Sequence, residues 1–187
     1  MRLLLASKSP RRRQLLAALD LPVSIVDVDV EERLSEAVPS SQVAERLALL
    51  KAQGYTHPLE AGEVLVTADT VVVHNDWVLG KPRDAEEART MLRNLSGDVH
   101  TVYTGVCLRS KAGQRLFTEA TQVHFKALTE EEISHYIEVY KPYDKAGAYG
   151  IQEWIGLVGI SRIEGCYYNV MGLPVARLYS ELSALPM

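Results

Sequence analysis

One carboxylate interrupts an otherwise apolar run: Asp69, inside Glu63-Val64-Leu65-Val66-Thr67-Ala68-Asp69-Thr70-Val71-Val72-Val73. The run reads as a buried strand, and burying an unpartnered carboxylate is costly enough that folding alone would not select it. The alternative is a bulge that turns Asp69 to solvent. A base is expected beside it. Asn75-Asp76 reads as a two-residue hairpin turn that sets His74 opposite Trp77 and Val73 opposite Val78. Continued, that register brings Lys81 beside Asp69 and Thr70, an acid and a base at the mouth of an apolar hairpin.

A second candidate cluster is cationic. Ser7, Ser9, Arg11, Arg12 and Arg13 gather where a strand, Arg2 to Ala6, feeds a helix with Ser9 as N-cap and Pro10 as first residue. Free backbone N–H groups and the positive dipole end make that junction an anion site. Three arginines there oppose the dipole, and a bound anion gives them a purpose that a solvated basic face does not. Lys51 lies at helical spacing with Ala44, Leu47 and Ala48, as a snorkelling side chain or a charge aimed into a pocket. Glu31-Glu32-Arg33, taken alone, reads as a solvated strand end. Tyr143 to Gln152 has two glycines and two alanines within five positions, a backbone open to close approach. Asp144, Lys145, Tyr149 and Gln152 around it could address a ligand.

The elements that must position these groups follow from periodicity and caps. Val23 to Val30 alternates as a half-buried strand, and a helix runs from Ser40 or Ser41 to Gly54. Asp84 with Glu87 forms a capping box for a helix with Ala88, Met91, Leu92 and Leu95 inward; Gly97 ends it. Val99 to Leu108 and Leu116 to Phe125 read as strands joined at Lys111-Ala112-Gly113. Thr129 and Glu132 cap a helix with Ile133, Ile137 and Tyr140 inward, stopped at Pro142. Leu157 to Ile163 is expected as a strand, and Pro174 to Leu182 as a last amphipathic helix. Strands and helices interleave, so the class is α/β with a mixed sheet flanked by helices. No linker or repeat divides residues 1–187, read as one domain.

Composition excludes several classes. With 24% charged and 47% hydrophobic residues over 187 positions, the chain is an ordinary globular protein. A net charge of -4 argues against a nucleic-acid polymer as partner. No segment approaches the roughly 18 apolar residues of a membrane span. The opening Met1 to Ala6 is too short and too soon basic for a signal peptide, so the expected location is the cytoplasm. Cys107 and Cys166 form no paired motif, and His57, His74, His100, His124 and His135 show no metal-ligand spacing. Phosphate-loop, nucleophile-elbow and dinucleotide fingerprints are absent. Cations for phosphates, with carboxylates for a metal or a water, remain; that is the toolkit of phosphoryl chemistry.

Leu5-Ala6-Ser7-x-Ser9-Pro10-Arg11-Arg12, Ala68-Asp69-Thr70, Leu79-Gly80-Lys81-Pro82, Leu95-Ser96-Gly97 and Asp144 to Gln152, with Gly172-Leu173-Pro174 after them, resemble the Maf family. The resemblance spans nearly the whole chain. It implies an inosine-triphosphatase-like (Maf/Ham1-type) α/β fold with a central cleft, and a nucleoside triphosphate pyrophosphatase of the branch acting on dTTP and UTP. It makes Asp69 the catalytic proton acceptor and Arg12, Thr70 and Gln152 the substrate-choice positions. Ser7, Ser9, Arg11, Arg12, Lys51 and Lys81 become phosphate ligands, and Glu32 with Asp69 ligands of Mg²⁺ or Mn²⁺. A homodimer is what the family suggests, and a non-catalytic nucleotide-binding regulator of septum formation is the alternative function. Two positions depart from the family pattern: Lys141 stands where an acidic residue is usual, and Glu153 where glycine is usual. A side-chain amide at Gln152 matches N3–H and O4 of uracil or thymine and, flipped, matches cytosine. Its orientation must therefore be fixed by neighbours, and backbone groups of the loop are expected to do it.

Overall fold

A computed structural model describes residues 1–31, 34 and 38–186. Its strands are β1 (Arg2–Leu5), β2 (Val23–Ile25), β3 (Glu63–His74), β4 (Trp77–Leu79), β5 (Val99–Arg109), β6 (Gln114–Phe125) and β7 (Ile160–Glu164). Helices α1 (Pro10–Ala17), α2 (Ser40–Gly54), α3 (Ala85–Leu95), α4 (Glu130–Tyr140), α5 (Trp154–Gly159), α6 (Tyr167–Met171) and α7 (Val175–Ser183) alternate with them. The described strands form one mixed sheet in the order β2-β1-β3-β5-β6-β7, with β4 on β3. β1 is parallel to both β2 and β3, whereas β4 on β3 and β7 on β6 are antiparallel. The mixed α/β class expected from interleaving is the one observed.

The chain divides into two compact units: Met1–Thr70 with Thr104–Glu119 and Gly172–Met187, and Val71–Tyr103 with Ala120–Met171. In the first, Leu3, Leu4 and Leu5 are buried and pair across β1 with both neighbours. The expected strand from Val23 to Val30 is only three residues long because β1 offers no rung beyond Leu5, which pairs with Ile25. Helix α2 lies close on β5 because position 105 is glycine: a Cβ there would sit 2.3 Å from the Glu45 nitrogen. Its Ala44, Ala48 and Ala52 are buried, with Leu47 only half-buried, and Thr67 Oγ1 donates to Ala48 O at 2.7 Å. Arg109 donates to Ala52 O and Tyr55 O at 2.7 and 2.6 Å, placing a cation on the negative end of the helix. These contacts hold α2 against the strand that carries Asp69.

In the second unit Ala88, Leu92, Leu95, Val102, Val123, Phe125, Ile133, Tyr136 and Ile137 share one apolar core. Thr129 and Glu132 make the reciprocal capping box of α4. At α3, Asp84 accepts from Glu87 N at 2.9 Å as expected, but the Glu87 carboxylate takes Arg83 N and Arg83 Nε instead of returning to Asp84. Leu157 to Ile163 is not a strand: residues 154–159 are α5 and only 160–164 pair with β6. A short apolar run fits either state. The glycine at 156 admits the helical turn, since a Cβ there would collide with Ile151 O at 1.8 Å. Helix α6 had no signal in the residue pattern.

Candidate active site

In the first unit Lys51 and Arg12 come together on the middle of β3, at Asp69 and the residues either side of it. Lys51 Nζ lies 2.5 Å from Asp69 Oδ1, and the two side chains are only 13% and 14% exposed. The apolar-face lysine is therefore a pocket charge, and the carboxylate that interrupts the strand has a partner. Among the described residues Asp69 has no other hydrogen bond. One oxygen is committed to an ammonium and the other is not.

Arg12 frames this pair. Its Nε donates to Gly172 O at 2.8 Å, one terminal nitrogen to Ala68 O at 2.9 Å and the other to Thr70 Oγ1 at 2.9 Å. The two β3 residues that flank Asp69 are thus gripped by one planar, permanently charged group. Thr70 Oγ1 also lies 2.9 Å from Thr104 Oγ1 on β5. Gly172, at φ +118, turns its carbonyl toward Arg12 in a conformation that L side chains avoid. At the start of α1, Ser9 is the N-cap and accepts from Arg12 N at 3.4 Å, while Ser7 Oγ accepts from Ser9 N at 3.2 Å. Both hydroxyls shape the turn that presents the helix end. Arg11 is half-buried in that first turn.

Lys81 and Gln152 belong to the second unit, and both are exposed. The hairpin register is the expected one, with His74 opposite Trp77 and Val73 opposite Val78, but its last rung is Val72 with Leu79. Lys81 lies beyond the ladder, and Gly80 O instead accepts from Gly147 N at 3.0 Å. The loop that follows α4 contains a 3₁₀ turn, Ala146–Ala148, with Gly147 at φ 67. Two of its expected ligand-facing groups face inward. Tyr149 is buried and meets His100 Nε2 at 2.7 Å, and Lys145 is buried in ion pairs with Asp144 and Glu153. Burial pushes the His100 imidazole down to about 3 and the Tyr149 phenol upward. Tyr136, Lys145 and Glu153 as a set were beyond sequence reasoning. The one signal was Glu153 in a place where the resembled family has glycine.

Glu32 lies outside the described residues. Among the described residues no three His, Cys, Asp or Glu side chains gather to hold a metal. Asp69 supplies one hard carboxylate oxygen, which fits Mg²⁺ arriving on a triphosphate, since that ion is commonly held by one or two carboxylates plus phosphates and water.

Comparison with known proteins finds relatives over nearly the whole chain. The chain is 46% identical to the dTTP/UTP pyrophosphatase of Phocaeicola vulgatus, over 98% of this chain and 96% of that protein. It is 46% identical to the protein of the same name from Bacteroides thetaiotaomicron, over 98% and 95% of the two chains. For that of Parabacteroides distasonis the values are 47%, 97% and 94%. A crystal structure of a nucleoside-triphosphatase / dITP/XTP pyrophosphatase from Mycobacterium abscessus aligns over the full length of both chains, at 17% identity and a TM-score of 0.44. The family model described as Maf-like protein matches residues 2–185, and the chain belongs to that family.

Proposed function

We propose that this chain hydrolyses dTTP and UTP between the α and β phosphates, releasing the nucleoside monophosphate and pyrophosphate. The observation that carries the reading is the Lys51–Asp69 pair, a nearly enclosed carboxylate with one oxygen uncommitted among the described residues, in a chain close to three proteins named for this activity. Asp69 accepts the proton of the attacking water, general-base help worth about 10²–10⁴ in rate. Lys51 carries three donors, so it can bridge Asp69 and a phosphate oxygen. Arg11 and the α1 N-terminus, shaped by Ser7 and Ser9, receive phosphate charge. Arg12 holds Thr70 and Ala68, and through them the strand beside Asp69. The resemblance assigns Lys81 to phosphate and Gln152 to the base edge. A divalent ion, Mg²⁺ or Mn²⁺, would be held by Asp69, with Glu32 as the family's further ligand, and would neutralise phosphate charge.

A carboxylate beside phosphates repels a ligand that is merely bound, so it serves a catalyst better than a binding module. The test is pyrophosphate release across the common nucleoside triphosphates, with Mg²⁺, with Mn²⁺ and with chelator. Release from dTTP and UTP that chelator abolishes is expected. Binding of either nucleotide without product over hours, metal present, would favour the regulator. Light scattering tests the homodimer that the family suggests.

A further inference from the structure

The second unit contains a polar chain with no part in the chemistry above. Lys145 Nζ lies 3.1 Å from Glu153 Oε1 and 2.6 Å from Asp144 Oδ1. The other Glu153 oxygen, Oε2, accepts from Tyr136 OH, and Tyr136 OH accepts from Gly150 N at 3.0 Å. Gly150 O in turn accepts from Glu153 N at 3.0 Å. Both polar groups of residue 150 are thereby held by Tyr136 and Glu153, and the direction of every bond is set. An ionised carboxylate only accepts, so Tyr136 must donate to it and keep its lone pair for Gly150 N–H. Burial together with Glu153 holds the Tyr136 phenol protonated, which keeps that direction.

Gly150 packs against the residue proposed to read the base. A Cβ built on it would meet Gln152 Nε2 at 2.9 Å, the Glu153 carboxyl carbon at 3.0 Å and Lys145 Cε at 3.0 Å. The exposed Gln152 amide therefore lies on a backbone surface whose setting depends on Glu153. We propose that Glu153 is a positioning residue for base choice: with Lys145 and Tyr136 it fixes the Gly150 peptide, and that peptide fixes which way the Gln152 amide faces. The inference rests on the proposed reading of Gln152. It replaces the expectation that loop backbone alone orients the amide, because here Gly150 N–H is held by the Tyr136 hydroxyl and Gly150 O by Glu153 N–H, and the Glu153 carboxylate is itself held by Tyr136 and Lys145.

The test is the ratio of kcat/KM for UTP over CTP in the wild type, Glu153→Gln, Tyr136→Phe, Gln152→Ala and the double variant Gln152→Ala with Glu153→Gln. A glutamine at 153 puts an NH2 group, which only donates, in place of one of the two oxygens that now accept separately from Lys145 and Tyr136, so in this geometry one of the two bonds is lost. The ratio is expected to fall on the order of tenfold in Glu153→Gln and in Tyr136→Phe, the scale of one well-placed hydrogen bond, chiefly through KM for UTP. In the Gln152→Ala background, Glu153→Gln should change it no further. An unchanged ratio in both Glu153→Gln and Tyr136→Phe, with Gln152→Ala still lowering it, overturns the positioning role alone. An equal effect of Glu153→Gln with and without Gln152 overturns it too, since Glu153 would then act elsewhere. If Gln152→Ala leaves the ratio intact, base reading by Gln152 fails and the inference with it. If the wild type releases no pyrophosphate from either nucleotide, it is the proposed activity that has failed. Thermal melts of each variant separate these results from unfolding.

Discussion

Two lysine–carboxylate pairs sit in the two units, and they are built to opposite ends. In the first, Asp69 gives one oxygen to Lys51 and, among the described residues, nothing to any other donor. In the second, Glu153 has both oxygens taken, by Lys145 and Tyr136, and Lys145 also holds Asp144. Burial does not distinguish them, because Asp69 is 14% exposed and Glu153 20%. Open valence does. A saturated pair can only hold structure in place, whereas a carboxylate with an uncommitted oxygen can accept a proton or meet a cation.

The sharpest way to break that contrast is Asp69→Asn. It keeps the volume and an acceptor for Lys51 but removes the base, and turnover should fall by about 10²–10⁴ with the fold retained. Pyrophosphate release with a parallel thermal melt checks it; substantial retained activity would remove Asp69 from the chemistry. Next come Lys51→Met and Lys145→Met. Each leaves a part-buried carboxylate without its cation, so each should lose about 1–3 kcal/mol in urea denaturation. They should part in kcat: about 10²-fold lost for Lys51→Met, as for a charge-stabilising donor at a reaction centre, and far less for Lys145→Met. Equal losses of kcat would mean that both pairs serve the reaction, or neither.

How much of this was legible in the sequence depended on how local each feature is. Asp69 stood out because one carboxylate in an apolar strand is anomalous by itself, and Thr129 with Glu132 because a capping box is complete within four residues. The Asn75-Asp76 hairpin declared its register in the same way. The grip of Arg12 on Gly172, 160 positions away, has no local sign, and neither has Tyr136 meeting Glu153. Both arise only when the elements pack. Lys145 and Tyr149 were misread as ligand-facing because a loop rich in glycine and alanine says that something approaches closely; here it is the protein's own core. Leu157 to Ile163 failed for a related reason, since an apolar run that short fits a helix turn or a strand.

A smaller effect separates the structural side further, through His100. Its imidazole is pushed down to about 3 mainly by burial, with the His74 charge adding and Asp98 opposing. The unfolded chain binds the proton near pH 6.5 and the folded one does not, so the stabilisation is present above about 6.5 and is lost as pH falls toward 3. Between pH 6.5 and 5 the loss from this group is about 2 kcal/mol, at roughly 1.4 per pH unit. Urea denaturation at both pH values should show it, and His100→Phe should flatten the difference. A wild-type slope no steeper than that of His100→Phe would show that the imidazole stays uncharged in both states or charged in both.

The smallest expected effect lies beside Asp69 itself. Thr70→Val preserves shape but removes the oxygen that accepts from Arg12 and meets Thr104. Arg12 keeps Ala68 O and Gly172 O, so the strand stays gripped on one side of Asp69 and loosens on the other. The stability loss should be about 1 kcal/mol, the scale of one intramolecular hydrogen bond. Activity should fall a few-fold, and Thr70→Ser, which restores the hydroxyl, should recover it. Because the resemblance makes Thr70 a substrate-choice position, the order of preference among nucleoside triphosphates is the quantity to measure beside the rate. A change in that order without a large fall in kcat fits a residue that shapes the site while Asp69 does the chemistry. A loss in Thr70→Val as deep as in Asp69→Asn would mean that the hydroxyl, not the open carboxylate, is the reacting group, and the distinction between the two pairs would no longer locate the chemistry.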